Sequence, residues 1–196
     1  AGYTITPSEE LKYHLESELV STDGAKGIEN GKMRFPTNLS ILATMNTSDQ
    51  SLFPMDSAFK RRWDWEYIPI NYSRDETQNS SAKFNVKLSD SESFKWLDFI
   101  EKINLKISTN DSLGMDKCLG NYFIKPKTGD LIKIDTFINK AIFYLWNDVF
   151  KDEREEDSIF KNKTTYEAFF PIDEENGIQK VRDILEELNI DYKPKS

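Results

Sequence analysis

Cysteine and histidine are nearly absent from this sequence, which contains one of each, Cys118 and His14. A lone cysteine cannot form a disulfide within the chain and gives no metal-ligand spacing, and His14 lies on the polar flank of a predicted helix. The sequence therefore predicts no metal site and no disulfide scaffold. It favours a protein of the reducing cytoplasm.

Long apolar runs are also missing, and nothing approaches the roughly eighteen consecutive apolar residues of a membrane span. The first residues, Ala1-Gly2-Tyr3-Thr4, lack the basic and apolar regions of a signal peptide. We therefore expect no membrane partner. Because the chain does not begin with methionine, we also expect that a longer protein has been cut or a tag removed.

Positive charge is in deficit, since 34 acidic residues face 26 basic ones and the formal net charge is −8. The chain as a whole is repelled by polyphosphate, so contact with DNA is expected only locally, or through the parent protein or a partner. Hydrophobic residues make up 38% of the chain, which is enough to build a folded core.

Nucleotide-binding loops are absent as well, because no segment has the form G-x-x-x-x-G-K-[ST] that surrounds phosphates with amides and a lysine. Gly24-Ala25-Lys26-Gly27 is only a loop that contains a lysine. No apolar strand ending in paired acids, the element that organises Mg²⁺, occurs before residue 39. We expect these residues alone to hold no cofactor.

The elements that are present begin with a helix at Thr6-Pro7-Ser8-Glu9, where a capping hydroxyl precedes proline and a glutamate. An apolar run predicts a buried strand over 39–45, and alternation of aromatic and acidic residues predicts another over 63–70. Apolar residues at helical spacing predict amphipathic helices over 91–107, 135–150 and 177–188.

These elements predict a chain in two parts. Residues 1–71 are interpreted as part of an α/β core, and 91–196 as a mainly α-helical lid subdomain. The polar residues 72–90 are interpreted as the linker between them.

The most informative motif is Thr44-Met45-Asn46-Thr47-Ser48-Asp49, which is followed by Asp56-Ser57-Ala58-Phe59-Lys60-Arg61-Arg62-Trp63. It places the amide of Asn46 at the end of a predicted buried strand, where open α/β sheets bind ligands. It also places a pair of arginines shortly downstream, and a guanidinium is suited to phosphoryl oxygens.

This order of residues resembles the AAA+ NTPase domains of the McrB-like, 5-methylcytosine-specific restriction type. The resemblance covers roughly residues 1–160 and implies that the chain is the C-terminal half of such a domain. This half would consist of an α/β remnant of an AAA+ core plus a mainly α-helical lid. It would lack the Walker A and Walker B motifs. The tight motif is confined to 39–70.

The resemblance also implies roles for individual residues. Asn46 corresponds to the sensor-1 residue that orients the attacking water, and Asp49 to an acid that positions an arginine or the sensor loop. Arg61 and Arg62 correspond to an arginine pair, of which one is the finger that reaches the neighbouring subunit's nucleotide. Which of the two acts in trans stays open.

The same resemblance draws attention to two further residues. Asn121, in Leu119-Gly120-Asn121-Tyr122-Phe123, aligns with a segment before the lid helix and is a candidate nucleotide contact. Gln50 departs from the family, which has an arginine directly after the acid, so the role of this position is in doubt.

The resemblance implies a parent protein that hydrolyses Mg-NTP, either GTP or ATP, in a ring of identical subunits and supports DNA restriction with a nuclease partner. The predicted strands 39–45 and 63–70 would lack their shared neighbour. They are expected to pair with each other, with another chain, or with a segment outside this sequence.

The alternative is a non-catalytic protein-interaction module derived from an AAA+ domain, which the missing phosphate loop favours for the isolated chain. A simpler interpretation also exists for each motif. Asn46 and Asp49 are common turn residues, and Lys60-Arg61-Arg62 is a basic cluster of the kind that often ends a helix.

Overall fold

The computed structural model of the chain describes residues 4–18, 28–29, 31–35, 38–45, 56–153, 158–162 and 164–192. Two compact units make up the chain, Ala1–Met45 and Asn46–Ser196. This division lies earlier in the chain than the boundary near residue 72 that the polar composition predicts.

The first unit contains one helix and a short antiparallel pair of strands. Helix α1 spans Glu9–Glu18, and the hydroxyl of Ser8 accepts the main-chain N–H of Leu11 at 3.3 Å, so the helix starts two residues later than predicted. Strands β1 (Ile28–Glu29) and β2 (Lys32–Met33) pair antiparallel. Gly31 lies between them at a φ of 70°, a value that glycine adopts without strain.

The predicted strand over 39–45 is not part of any sheet among the residues that the structure describes. Its apolar side chains face solvent, and Leu42 is 97% exposed while Ile41 is 58% exposed. A strand is stable only when neighbours pair with its main chain and cover its side chains. Without such neighbours, strand-like composition alone does not produce a strand here.

The second unit is built around a three-stranded sheet. Strands β3 (Asn85–Lys87) and β4 (Ser93–Lys95) are antiparallel, whereas β5 (Leu131–Lys133) runs parallel to β3 on its other side. The middle residue of each strand is buried and the outer two are more exposed, which leaves one face of the sheet against the core.

The segment 72–90, interpreted from composition as a linker, supplies part of this core. A 3₁₀ helix spans Ser80–Lys83, capped by the side chain of Asn79, and it leads directly into β3 at the centre of the sheet. Four apolar side chains of the segment 72–90 are buried: Ala82, Phe84, Val86 and Leu88. Polar composition conceals this alternation of apolar residues at every second position.

Two helices follow their strands without an intervening loop, and a third lies near the end of the chain. Helix α3 spans Trp96–Ser108 after β4, and α4 spans Ile134–Phe137 after β5. Helix α4 continues in π-helical turns over Ile138–Ile142 and Leu145–Val149, and α5 spans Gly177–Glu187. The three helices predicted from apolar spacing are thus confirmed.

Aromatic rings form the centre of the second unit. The ring of Phe137 lies edge-on to Phe99 at 4.9 Å between centroids and to Phe94 at 5.3 Å, and Trp96 stacks on Phe99 at 5.8 Å. All four side chains are buried. Because they come from β4, α3 and α4, they join both strand–helix pairs into one core.

An ion pair fixes α5 to the same core. The guanidinium of Arg182 donates to the carboxylates of Glu92 and Glu174, both at 2.5 Å, and the Arg182 and Glu92 side chains are only 16% and 17% exposed. The hydrogen bond that Arg182 donates to Glu92 raises the pKa of Arg182. Within the described part of the chain, no helix has the length and apolarity needed to cross a membrane.

Replacing Phe137 by alanine removes the ring at the centre of this core. We expect Phe137→Ala to lower the free energy of unfolding by about 3–5 kcal/mol, through lost burial and the cavity left behind. Phe143→Ala, at a ring 41% exposed on the same helical segment, should lower it by less than about 1.5 kcal/mol. Urea denaturation measures both, and equal losses would contradict the assignment of the core.

Candidate functional site

The two arginines of the motif follow a short capped helix. Helix α2 spans Ser57–Lys60, and the carboxylate of Asp56 accepts the main-chain N–H of Phe59 at 2.6 Å. The indole N–H of Trp65 donates to the carbonyl of Lys60 at 2.8 Å, which closes the helix from its other end. These contacts fix the direction in which the chain leaves α2.

Arg61 and Arg62 lie at this exit, and both side chains are exposed. Neither guanidinium has a hydrogen-bond or ion-pair partner within the described residues. Two adjacent guanidinium groups with free donors are suited to a ligand that carries several anionic oxygens. The structure thus places the arginine pair where an external anion can reach it.

Asn46, Asp49 and Gln50 lie outside the described residues. The structure therefore does not establish a distance between the sensor-1 candidate and the arginines. The roles of Asn46 and Asp49 remain predictions that rest on the resemblance.

Residues 64–70, which follow the arginines, belong to no helix or strand and form no sheet with any described residue. None of their main-chain N–H or C=O groups has a main-chain hydrogen-bond partner in the described parts of the chain. Tyr67 and Ile68 are 73% and 77% exposed, and Trp65 is also exposed. This segment has the composition of a strand but no neighbouring strand among the described residues.

The chain is fixed again at Asn71, through the side chain of Asn121. The amide oxygen of Asn121 accepts the main-chain N–H of Asn71 at 2.9 Å, and its nitrogen donates to the Asn71 carbonyl at 2.6 Å. The same nitrogen donates to the hydroxyl of Ser81 at 3.0 Å, and the Asn121 carbonyl accepts the indole N–H of Trp96 at 2.8 Å. We call the paired contact the Asn71–Asn121 bridge.

Side chains that follow Asn71 attach the chain to α3. Arg74 donates to Asp98 at 2.8 Å and to Glu101 at 2.5 Å. The phenol oxygen of Tyr72 accepts from the buried amide of Asn104 at 2.9 Å, and burial raises the pKa of Tyr72. Together with the Asn71–Asn121 bridge, these contacts hold the residues after the arginine pair against the core.

Asn121 was selected from the sequence as a candidate nucleotide contact. In the structure, both donors of its side-chain amide and its oxygen have partners within the chain. These contacts give Asn121 a positioning role, and a nucleotide contact remains a prediction. Sequence reasoning did not find Asn71, Asn104 or Arg74, because their partners lie far away in the sequence.

No group of three or more His, Cys, Asp or Glu side chains that could hold a metal occurs in the part of the chain that the structure describes. Burial raises the pKa of Cys118, so its thiol is protonated and weakly nucleophilic at neutral pH.

The chain is similar to a component of a bacterial type II restriction enzyme. That relative is the type II restriction enzyme BsuMI component YdiS of Bacillus subtilis (strain 168), 34% identical over 140 residues. The aligned part is 71% of this chain and 39% of the relative, so the chain spans about two-fifths of the relative's length. No family model and no solved structure matches the chain.

Removing the Asn121 amide tests its positioning role without any nucleotide. We expect Asn121→Ala to destabilise the second unit by about 1–3 kcal/mol, because three hydrogen bonds are lost and the Asn71 main chain is left unpaired. Hydrogen exchange at the Asn71 amide should also become faster.

The matched control is Asn147→Ala, because the only side-chain bond of Asn147 within the described residues is a 3.3 Å contact with Asp148. This variant should lose less than about 0.5 kcal/mol. An Asn121→Ala protein with unchanged stability and unchanged exchange at Asn71 would contradict the positioning role.

Proposed function

We propose that this chain is the sensor- and arginine-bearing part of an AAA+ NTPase subunit that works in DNA restriction. Its similarity to YdiS supports a restriction role, since that relative is a restriction enzyme component. The nucleotide chemistry is the finer part of the proposal and is carried by Asn46, Asp49, Arg61 and Arg62.

The observation that carries this proposal is the exposed arginine pair between a capped helix and an unpaired apolar segment. Within the described residues, Arg61 and Arg62 have unused donors, and the adjoining residues 64–70 have no main-chain hydrogen bonds and carry exposed aromatic rings. Cations of this kind are effective when they meet the negative charge that develops in phosphoryl transfer. A neighbouring strand would both cover the apolar segment and bring a phosphate-binding element near the arginines.

The remaining parts of the nucleotide site would come from elsewhere. The printed sequence has no G-x-x-x-x-G-K-[ST] loop, so Mg-NTP, as GTP or ATP, would be held by residues outside this segment. One arginine would act on the nucleotide of an identical neighbouring subunit in a ring. In this proposal the chain alone is inactive, and DNA cleavage is supplied by a nuclease partner.

A second candidate function is a non-catalytic interaction module. The exposed side chains of Trp65, Tyr67 and Ile68 favour it, because contiguous exposed apolar groups mark interaction sites. In this case Arg61 and Arg62 would contact a protein surface and not a nucleotide.

Hydrolysis of GTP and ATP by the complete gene product tests the main proposal. We expect Arg61→Ala or Arg62→Ala, whichever residue acts in trans, to lower kcat by about 10³-fold, as for other arginine fingers. Asn46→Ala should lower kcat by about 10²-fold, because a group that orients the attacking water is lost. The 196-residue chain alone should hydrolyse neither nucleotide.

Lys60→Ala is the matched control, because it removes a cation from the same cluster without touching either arginine. Its kcat should stay within about twofold of the unmodified protein. Hydrolysis that is unchanged in the Asn46 and both arginine variants would overturn the NTPase proposal and leave the interaction module as the better account.

A further inference from the structure

The register of the three-stranded sheet gathers three lysines on its exposed side. Lys87 of β3 pairs with Lys133 of β5, and Lys95 of β4 pairs with Asn85 of β3. All three lysines alternate with buried residues, so they share the face that points away from the core. We call this set of Lys87, Lys95 and Lys133 the lysine face.

Stability does not explain these positions. Neighbouring strands lie about 4.8 Å apart, so the adjacent positive charges of Lys87 and Lys133 repel each other. Lys95 and Lys133 also stand directly before α3 and α4, and neither side chain caps its helix. Asp, Asn, Ser or Thr would be favourable at both places, since a helix start repels cations.

The acids around the sheet leave this charge largely uncompensated. Asp130 pairs with Lys83 at 3.2 Å, and Glu92 pairs with Arg182. On the lysine face itself, Asp90 contacts Lys87 at 2.6 Å. Lys95 and Lys133 have no ion-pair or hydrogen-bond partner within the described residues, and both are exposed.

We propose that the lysine face contacts the phosphate backbone of double-stranded DNA. The choice of DNA rests on the restriction role proposed above, and the contact itself rests on charge. In a chain of net charge −8, three lysines on one face of the sheet, two of them without an ion-pair partner among the described residues, are complementary to a polyanion. Lysines act as flexible point charges on phosphates, so the contact positions DNA without reading its sequence.

The test is binding of the 196-residue chain to a short fluorescent duplex at low ionic strength, with no nucleotide present. We expect the double variant Lys95→Ala/Lys133→Ala to bind about tenfold or more weakly. The slope of log K against the logarithm of the salt concentration should also become shallower by about two units. Lys95→Arg/Lys133→Arg keeps the charge and should bind like the unmodified chain.

Lys102→Ala/Lys151→Ala is the matched control, because it removes the same charge from exposed lysines elsewhere on the unit. It should bind within about twofold of the unmodified chain. Circular dichroism of each variant checks that the fold is kept. An unmodified chain that does not bind duplex, or equal losses in the two alanine variants, would overturn the proposal. Because no nucleotide is used, this result is independent of the hydrolysis test.

Discussion

The Asn71–Asn121 bridge is the contact on which the placement of the arginine pair depends. Residues 64–70 have no main-chain hydrogen bonds to the described parts of the chain, and the stretch is held by the Trp65 indole bond to Lys60 near its start and by Ile70 against the core at its end. The path is set where the stretch ends, by the two hydrogen bonds between Asn71 and Asn121 and by the ion pairs of Arg74. The side-chain amide of Asn121 accepts the Asn71 N–H and donates to the Asn71 carbonyl, the two kinds of main-chain bond that a neighbouring strand would make.

Some charges of the second unit form ion pairs that hold the fold together, and some exposed cations do not. Glu92, Asp98 and Glu101 are used in ion pairs with Arg182 or Arg74 that join helices to the rest of the core. In contrast, Arg61 and Arg62 and the lysine face are exposed with few internal partners. A chain that is acidic overall therefore presents two local basic surfaces, and the proposed functions assign a phosphate-bearing ligand to each.

The sequence was sufficient to predict helices α3 and α5, because apolar residues at helical spacing report directly on a buried face. It was insufficient for β3 to β5, since strands of three residues are too short to give a clear period. The segments 39–45 and 64–70 show the opposite error, because a strand is predicted from composition and none forms among the described residues. Strand formation depends on a neighbouring strand that the sequence does not reveal. The partners of Asn121 are likewise set by the fold and not by the local motif.

A structure of the complete gene product with Mg²⁺ and a non-hydrolysable nucleotide tests the central claim most directly. The account predicts that the guanidinium of Arg61 or Arg62 lies about 3 Å from the terminal phosphate bound to a neighbouring subunit. It also predicts that Asn46 faces the terminal phosphate of its own subunit. A structure in which both arginines contact only solvent or protein, far from any nucleotide, would contradict it.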